Sequence, residues 1–512
     1  MSRIITPQDF QFKTVPYDHQ DTAFERSRDL EDFAYLMEMG TGKTKVGIDV
    51  AAWKYAKGEI NFLFIVAPNG VQRNWVLREI PVHLPDWVER RVCVWSSYMK
   101  AADWKDYDRL WDPKFTGLRI LVINVDAFGV AERFWRTKRG GPMKFGTEIA
   151  KILNSFSVYW IMDESTKIKT PGSRRTKRIL TLGKRAHSRA IMTGTPVTNS
   201  PMDLYAQFKF LGPGYLGYTN FHSFKHRYAE WQTEKNWKTE KEYEVCTGYK
   251  NLDELVTNID AVSYRVTKKE CLDLPDKLYE RRYVGMQEDQ GRIYNKVLQD
   301  AKLELAQADD VTVANVLTKM IRLQQVLGGF IPNEAGGRAE ACVIPNFSNL
   351  PRAKAIKDIV EDSYILSEEG GKLIIWARFV PEIENLTRML AQEYDSDTVV
   401  NYYGAVGQED RDLAIDRFQN DDRCRFFIGQ QQSGGFGLTL TAASYVAYYS
   451  NDFSLENRLQ SEDRAHRIGQ KNNVTYFDLE TLGTIDTRII NALRAKKSLA
   501  DTITRDDVDT WL

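Results

Sequence analysis

Apolar positions gather into short runs rich in β-branched residues at 61–67, 120–125, 158–162 and 190–192, each followed by turn residues or by a stretch with helical spacing. Runs of this length bounded by turns predict buried strands, and their alternation with helical sequence predicts a parallel sheet covered on both faces. The same rhythm returns at 373–376, 398–402, 425–428, 445–449 and 474–479. The expected fold class is α/β, with two lobes in tandem. Between them the pattern changes: 221–245 mixes charges with Phe224, Tyr228, Trp231, Trp237 and Tyr243, while 287–326 reads as long helical sequence. The expected organisation is an N-terminal lobe over 1–213, a helical and aromatic insertion over 214–280, a helical bridging segment over 281–345 and a C-terminal lobe over 346–512.

Composition narrows the class. With 512 residues, 43% of them hydrophobic and 27% charged, and with only 16 Pro, the chain reads as globular and multi-domain rather than disordered or fibrous. Seventy basic and seventy acidic side chains cancel, so whole-molecule attraction to a polyanion is excluded and any basic surface must be local. Five scattered cysteines without a CxxC pair, and six scattered histidines, predict neither a disulfide framework nor a structural metal site. The first residues lack an apolar signal region, and no uncharged run approaches the roughly 18 residues of a membrane span. A cytoplasmic protein of bacterial or viral origin is expected.

Candidate chemistry begins at residues 38–44, EMGTGKT, which precede a helix-like stretch. Gly40 and Gly42, with Thr41 between them, let backbone N–H groups approach phosphates; Lys43 can reach the β and γ phosphates, and Thr44 can hold magnesium. The full GxxxxGK[ST] pattern fails at its first position, which is Met37. Residues 160–165, WIMDES, place adjacent acids at the end of a strand, 120 residues after Lys43. Asp163 suits magnesium, usually through water, and Glu164 suits the base that orients and deprotonates the attacking water. A third turn, Thr193, Gly194 and Thr195 in TGTP, follows another apolar strand and suits coupling between a nucleotide site and a second ligand. Residues 434–440 read GGFGLTL and 459–470 read LQSEDRAHRIGQ. Arg464 and Arg467 are three apart and are expected on one face of a helix, where arginines can stabilise charge on a transferred phosphoryl group.

Taken together these residues resemble the superfamily-two helicases, and within them the Swi/Snf-type branch of DNA translocases. EMGTGKT looks like motif I, IVAPNGVQRNW (65–75) like motif Ia, MDES like motif II, MTGTPVTN (192–199) like motif III, SGGFGLTLTAA (433–443) like motif V and QSEDRAHRIGQ (460–470) like motif VI. The resemblance implies two tandem RecA-like lobes with parallel sheets and helical insertions between them, with ATP and magnesium as ligands. It also implies that Gln20, in PYDHQ, reads adenine, that Gly434, Gly435 and Gln460 belong to the coupling motifs, and that Asn69 in motif Ia contacts DNA. Two departures stand out. Ser165 and Thr166 replace the Ala-His or Gly-His often found after the acid pair, and Gln430 to Gln432 replace the hydroxyl and basic residues often found before the motif V glycines.

Residues 165–202 hold nine basic side chains and no Asp or Glu. Lys167, Lys169, Arg174, Arg175, Lys177 and Arg178 are therefore expected to contact DNA through its phosphates, without reading bases. The expected activity is an ATP-dependent translocase or remodeller of double-stranded or branched DNA. A strand-separating helicase, and an ATP-switched module that clamps DNA without productive movement, are the alternatives.

Overall fold

The computed structural model describes residues 10–69, 71–95, 99–130, 144–235, 242–307, 313–331, 342–343, 347–363, 365–367, 371–432 and 438–504. The chain divides into two compact units, one built from 1–232, 246–273 and 499–507, the other from 233–245, 274–498 and 508–512.

The first unit is built on β1 (Asp32–Met37), β2 (Phe62–Ala67), β3 (Arg90–Trp95), β4 (Leu118–Asn124), β5 (Val158–Asp163) and β6 (Ser188–Met192). β7 (Ala229–Lys235) and β8 (Glu242–Tyr249) form a two-stranded sheet of their own, and β9 (Ser263–Val266) returns to the first sheet, whose order is β3-β4-β2-β5-β6-β1-β9. Every pairing in it is parallel. The side chains of β2 show why the run is apolar throughout: Phe62, Phe64 and Val66 enter one core cluster, while Leu63, Ile65 and Ala67 enter another on the opposite face. Successive strand residues point to opposite faces, so a sheet clad by helices on both sides needs an unbroken hydrophobic run.

The second unit repeats the plan. β10 (Lys277–Tyr283), β13 (Lys372–Ala377), β14 (Val399–Tyr402), β15 (Phe426–Gln430), β16 (Ala443–Tyr448) and β17 (Val474–Glu480) form a sheet of order β10-β17-β16-β13-β15-β14, while β11 (Phe330–Ile331) and β12 (Cys342–Val343) pair antiparallel apart from it. All the pairings of the six-stranded sheet are parallel. Along β13, Leu373 and Ile375 pack into one core cluster, and Ile374 and Trp376 into the other. The protein is thus a pair of tandem RecA-like α/β lobes.

Within 214–280 the structure departs from the helical expectation. The short helices Phe221–Tyr228 and Leu252–Asp260 are present, but β7, β8, β9 and the start of β10 share the stretch. β9 and β10 are edge strands, as is β3, and an edge strand has one neighbour and a partly exposed surface. Its sequence therefore mixes in charge, as KLYERRY does in β10, and the apolar signal fades. β1 escapes the pattern for another reason: DFAYLM contains no β-branched residue although all six positions are buried. Phe224 and Tyr228 are buried in the first unit's core. No helix among the described residues is long and apolar enough to cross a membrane.

Candidate nucleotide site and coupling loops

The phosphate-loop candidate joins β1 to the helix Lys43–Ala56. Gly40 (φ 83°) and Gly42 (φ 87°) occupy the left-handed region that glycine enters without steric cost. A Cβ on Gly42 would lie 2.1 Å from Gln20 Nε2, the end of a flexible side chain that could move aside, so the left-handed backbone is what requires glycine here. Gln20 lies against the loop: its Nε2 donates to the Thr41 carbonyl at 3.1 Å, and its Oε1 accepts the Tyr17 N–H at 3.1 Å. His19, which sequence reasoning passed over, donates from Nε2 to the same Thr41 carbonyl at 2.7 Å. No side chain caps the N-terminus of the helix. Lys43, 8% exposed, reaches back to the Glu38 carbonyl at 3.2 Å, and Thr44 is half-buried.

The acid pair stands at the end of β5. Glu164 adopts φ 49° and ψ 63°, a left-handed conformation unusual for a residue with a side chain. Local strain of this kind persists where the surrounding structure imposes it and concentrates at functional sites. Asp163 is buried; its Oδ1 accepts the Glu164 N–H at 3.0 Å and its Oδ2 accepts the Trp75 indole N–H at 2.8 Å. Burial pushes the Asp163 carboxyl above its ordinary range, while the Trp75 bond, the Lys43 charge and the Glu164 N–H pull it back. Trp75 is fully buried and opens a π-helical turn, Trp75–Glu79. The sequence placed it in motif Ia but offered no sign that it would hold the acid.

The third turn is wired to both. A Cβ on Gly194 would meet the Met39 backbone nitrogen at 2.9 Å, so TGTP rests on the entry of the phosphate loop. Arg265 of β9 donates to the Leu36 carbonyl at 2.7 Å and to the Gly194 carbonyl at 3.2 Å, tying the same two segments. Thr193 is fully buried and its Oγ1 accepts the Thr195 N–H at 3.2 Å. From the acid side, Ser165 Oγ donates to Gln207 Oε1 at 2.7 Å, and Gln207 Nε2 donates to the Pro196 carbonyl at 2.8 Å. Gln207 lies on the helix Asp203–Leu211, well beyond the motif, and only folding brings it here.

In the second unit the arginines are not on a helix. The helix Leu455–Glu462 ends before them, and residues 463–469 run as turns and bends. Side chains take over from the helical hydrogen bonds: His466 donates to the Pro275 carbonyl at 2.6 Å, and Gln470 Nε2 donates to the carbonyls of Thr441, Ala443 and Ala465. The two arginines still converge, because Arg464 Nη1 and Arg467 Nη1 donate to one carbonyl, that of Leu438, at 3.2 and 3.0 Å. Gln460 is buried and donates to Glu456 at 3.3 Å. Gly434 and Gly435 lie outside the described residues.

The model of the SNF2-related domain matches residues 36–328, more than half of the chain, and that of the helicase conserved C-terminal domain matches 352–469. This chain belongs to the SNF2-related family. Among its relatives, the bovine (Bos taurus) "DNA annealing helicase and endonuclease ZRANB3" is 24% identical over 503 residues, covering 96% of this chain and 40% of that protein. The Bacillus subtilis "Putative ATP-dependent helicase/translocase YwqA" is 25% identical, covering 70% of this chain and 37% of the relative. The chain spans only 20–40% of the length of the curated relatives it matches. A structure described as the Sulfolobus solfataricus SWI2/SNF2 ATPase core in complex with dsDNA is 22% identical, covers 99% of this chain and 96% of that one, and gives a TM-score of 0.39. The second match is to the conserved C-terminal domain of helicases, and ATP-dependent helicases are among the names of the relatives.

The basic run of this SNF2-related chain divides on inspection. Lys169 bonds to Thr198 Oγ1 and stands 4.0 Å from Asp203, Arg175 pairs with Asp126 at 2.5 Å, and Arg189 makes two 2.8 Å bonds to Asp32. Lys167 and Arg178 are half-buried, and Arg178 donates to the Val130 carbonyl at 3.2 Å. Arg174, Lys177 and Asn69 are exposed.

Proposed function

We propose that this chain is a motor that couples ATP hydrolysis to movement along double-stranded DNA. The observation that carries the reading is the wiring of one unit: Gly194 packs against Met39 at the phosphate loop, and Ser165 reaches Pro196 through Gln207. A change at the γ phosphate is thereby transmitted to the TGTP turn through packed backbone and two hydrogen bonds. The serine route answers the departure noted after the acid pair, since Ser165 supplies a bond from MDES to motif III without a histidine.

The residues fit a magnesium nucleotide. Gly40 and Gly42 hold the left-handed backbone of the loop, the helix behind it is uncapped, and Asp163 is a buried carboxylate within the influence of Lys43. Thr44 and Asp163 would hold magnesium, which when bound neutralises phosphate charge and orients the γ phosphate. Lys43 binds the phosphates, Gln20 sits where it can read adenine, and Glu164 takes the proton of the attacking water. Arg464 and Arg467 are assigned to charge on the transferred phosphoryl group. Names among the relatives, a DNA annealing helicase and a helicase/translocase, support DNA as the track.

A triplex-displacement assay on duplex DNA tests the reading. The expected result is ATP-dependent release of the third strand, abolished by Lys43→Ala. Nucleotide-dependent DNA binding without release would instead indicate a clamp, and ATP-dependent opening of a forked duplex would indicate a strand-separating helicase.

A further inference from the structure

The helix Arg174–Gly183 carries an amphipathic pattern of unusual composition. Arg174, Lys177, Arg178 and Thr181 recur at i, i+3, i+4 and i+7, so they share one face, while Thr176, Ile179 and Leu182 turn to the core; Arg185 follows in the turn just past the helix. The first turn holds no acid. Cations there oppose the helix dipole, an arrangement that costs up to about 1 kcal/mol for each charge. A solvated outer face would more economically mix both signs, as the chain does elsewhere.

That face does not stand alone. It forms one wall of an open groove of about 890 Å³ whose other wall comes from the helix Phe145–Ser155, through Thr147, Lys151 and Asn154. Among the described residues five basic side chains, Lys151, Arg174, Lys177, Arg178 and Arg185, line it, and no Asp or Glu does. Lys151 is paired with Glu148 at 2.7 Å. Arg174, Lys177 and Arg185 make no ion pair among the described residues. In a chain whose 70 basic and 70 acidic residues balance, this is a local surplus of positive charge held in a concave surface.

We infer that this groove is a nucleic-acid backbone site that seats the phosphates of a duplex along the helix Arg174–Gly183. The proposal rests on the motor reading for its choice of ligand. The ten-residue helix is about 15 Å long, long enough to follow several consecutive phosphates of one strand, which advance about 3.4 Å each along the duplex axis. Among the described residues the lining contains no aromatic side chain on which bases could stack, which favours a duplex over a single strand. The apolar side chains it presents among the described residues are Leu182 and the methyl of Ala150, too little to anchor the side chains of an acidic peptide. Lys151, from outside the basic run, joins Arg174, Lys177, Arg178 and Arg185 of the run in the site, while Lys169 and Arg175, paired within the protein, leave it.

The test is a salt titration of affinity for a blunt duplex of mixed sequence. The triple variant Arg174→Ala, Lys177→Ala, Arg185→Ala is expected to bind at least about ten-fold more weakly, and its salt slope is expected to fall by about 3, close to one for each lost phosphate contact. Lys151→Glu, on the opposite wall, is expected to weaken binding as well. The charge-conserving triple variant Arg174→Lys, Lys177→Arg, Arg185→Lys is expected to restore the slope. Unchanged affinity and slope in the alanine variant, or no effect of Lys151→Glu, would overturn the groove while duplex-stimulated hydrolysis by the wild type leaves the motor reading standing. A wild type whose hydrolysis ignores duplex would overturn the motor reading, and the titration would still report on the groove directly. Loss of polyglutamate binding with duplex affinity intact would give the groove to an acidic peptide and sink the proposal.

Discussion

The phosphate-loop end of the first unit and the arginine segment of the second unit serve the same reaction in the proposed mechanism but are held in place by different means. At the first, regular elements do the positioning: β1 feeds two left-handed glycines into a helix, and β5 delivers its acids at a strand end. At the second, the helix has ended, and Arg464 and Arg467 are placed by bonds to a single carbonyl, that of Leu438, more than twenty residues away in sequence. A loop set by strand and helix geometry is held by local backbone preference. A segment of turns is only as exact as the side chains that staple it.

Beneath that segment lies a buried ionic cluster. Arg458 makes two bonds to Asp478, at 2.5 and 3.0 Å, one to Glu462 at 2.8 Å, and lies over the Tyr448 ring at 3.6 Å. Lys277 and the Tyr279 hydroxyl reach Glu462 from β10 at 3.4 and 2.9 Å. Burial works against the charged form of Glu462, but Lys277 and Arg458 outweigh it and hold its carboxyl below the ordinary range. This cluster fixes the last turn of the helix Leu455–Glu462, from which the arginine segment departs. Among the described residues the first unit shows no counterpart of this size around its loop; its acid is steadied by Trp75.

The contrast can be broken in three places. Arg467→Ala has the largest expected effect: turnover at saturating ATP and DNA falls by about 10³ to 10⁵ with nucleotide binding retained, as for loss of an arginine finger. Steady-state hydrolysis beside nucleotide binding measured by fluorescence checks this, and near-normal turnover would remove Arg467 from its assigned role. Arg458→Leu comes next. Leaving Asp478 and Glu462 buried without their partner is expected to cost about 3–5 kcal/mol in the second unit, read as a lowered denaturation midpoint. A change below about 1 kcal/mol would mean that the cluster does not support the arginine segment. Trp75→Phe, in the first unit, has the smallest expected effect. It removes one hydrogen bond to a buried carboxylate, about 1.5–3 kcal/mol, and is expected to lower turnover about ten-fold and to raise the magnesium concentration needed for half activity. Unchanged magnesium dependence would show that Asp163 is held without the indole.

Legibility followed the same divide. The glycine loop, the strand carrying WIMDES and the TGTP turn could be located because each depends on a periodicity or a turn chemistry contained within a few residues. The Arg464 and Arg467 spacing was misread as helical, since i, i+3 spacing is compatible with a helix but does not require one. Past Glu462 the segment is held by bonds from His466 and Gln470 to distant backbone, which sequence spacing does not reveal. The edge strands β3, β9 and β10 were obscured by their charges, and Arg265, which ties β1 to the TGTP turn, lay within one of them.

By itself, then, the amino-acid order determined the α/β class, the buried central strands, the glycine loop with its lysine and the acid pair, because backbone preference and side-chain periodicity act over short distances. Tertiary structure alone decided that Trp75 holds Asp163, that Gln207 links Ser165 to Pro196, and that Lys151 faces Arg174 and Lys177 across a groove. Each of these joins residues separated by tens of positions, and such contacts exist only once the sheet has set the spacing and direction of the segments that carry them.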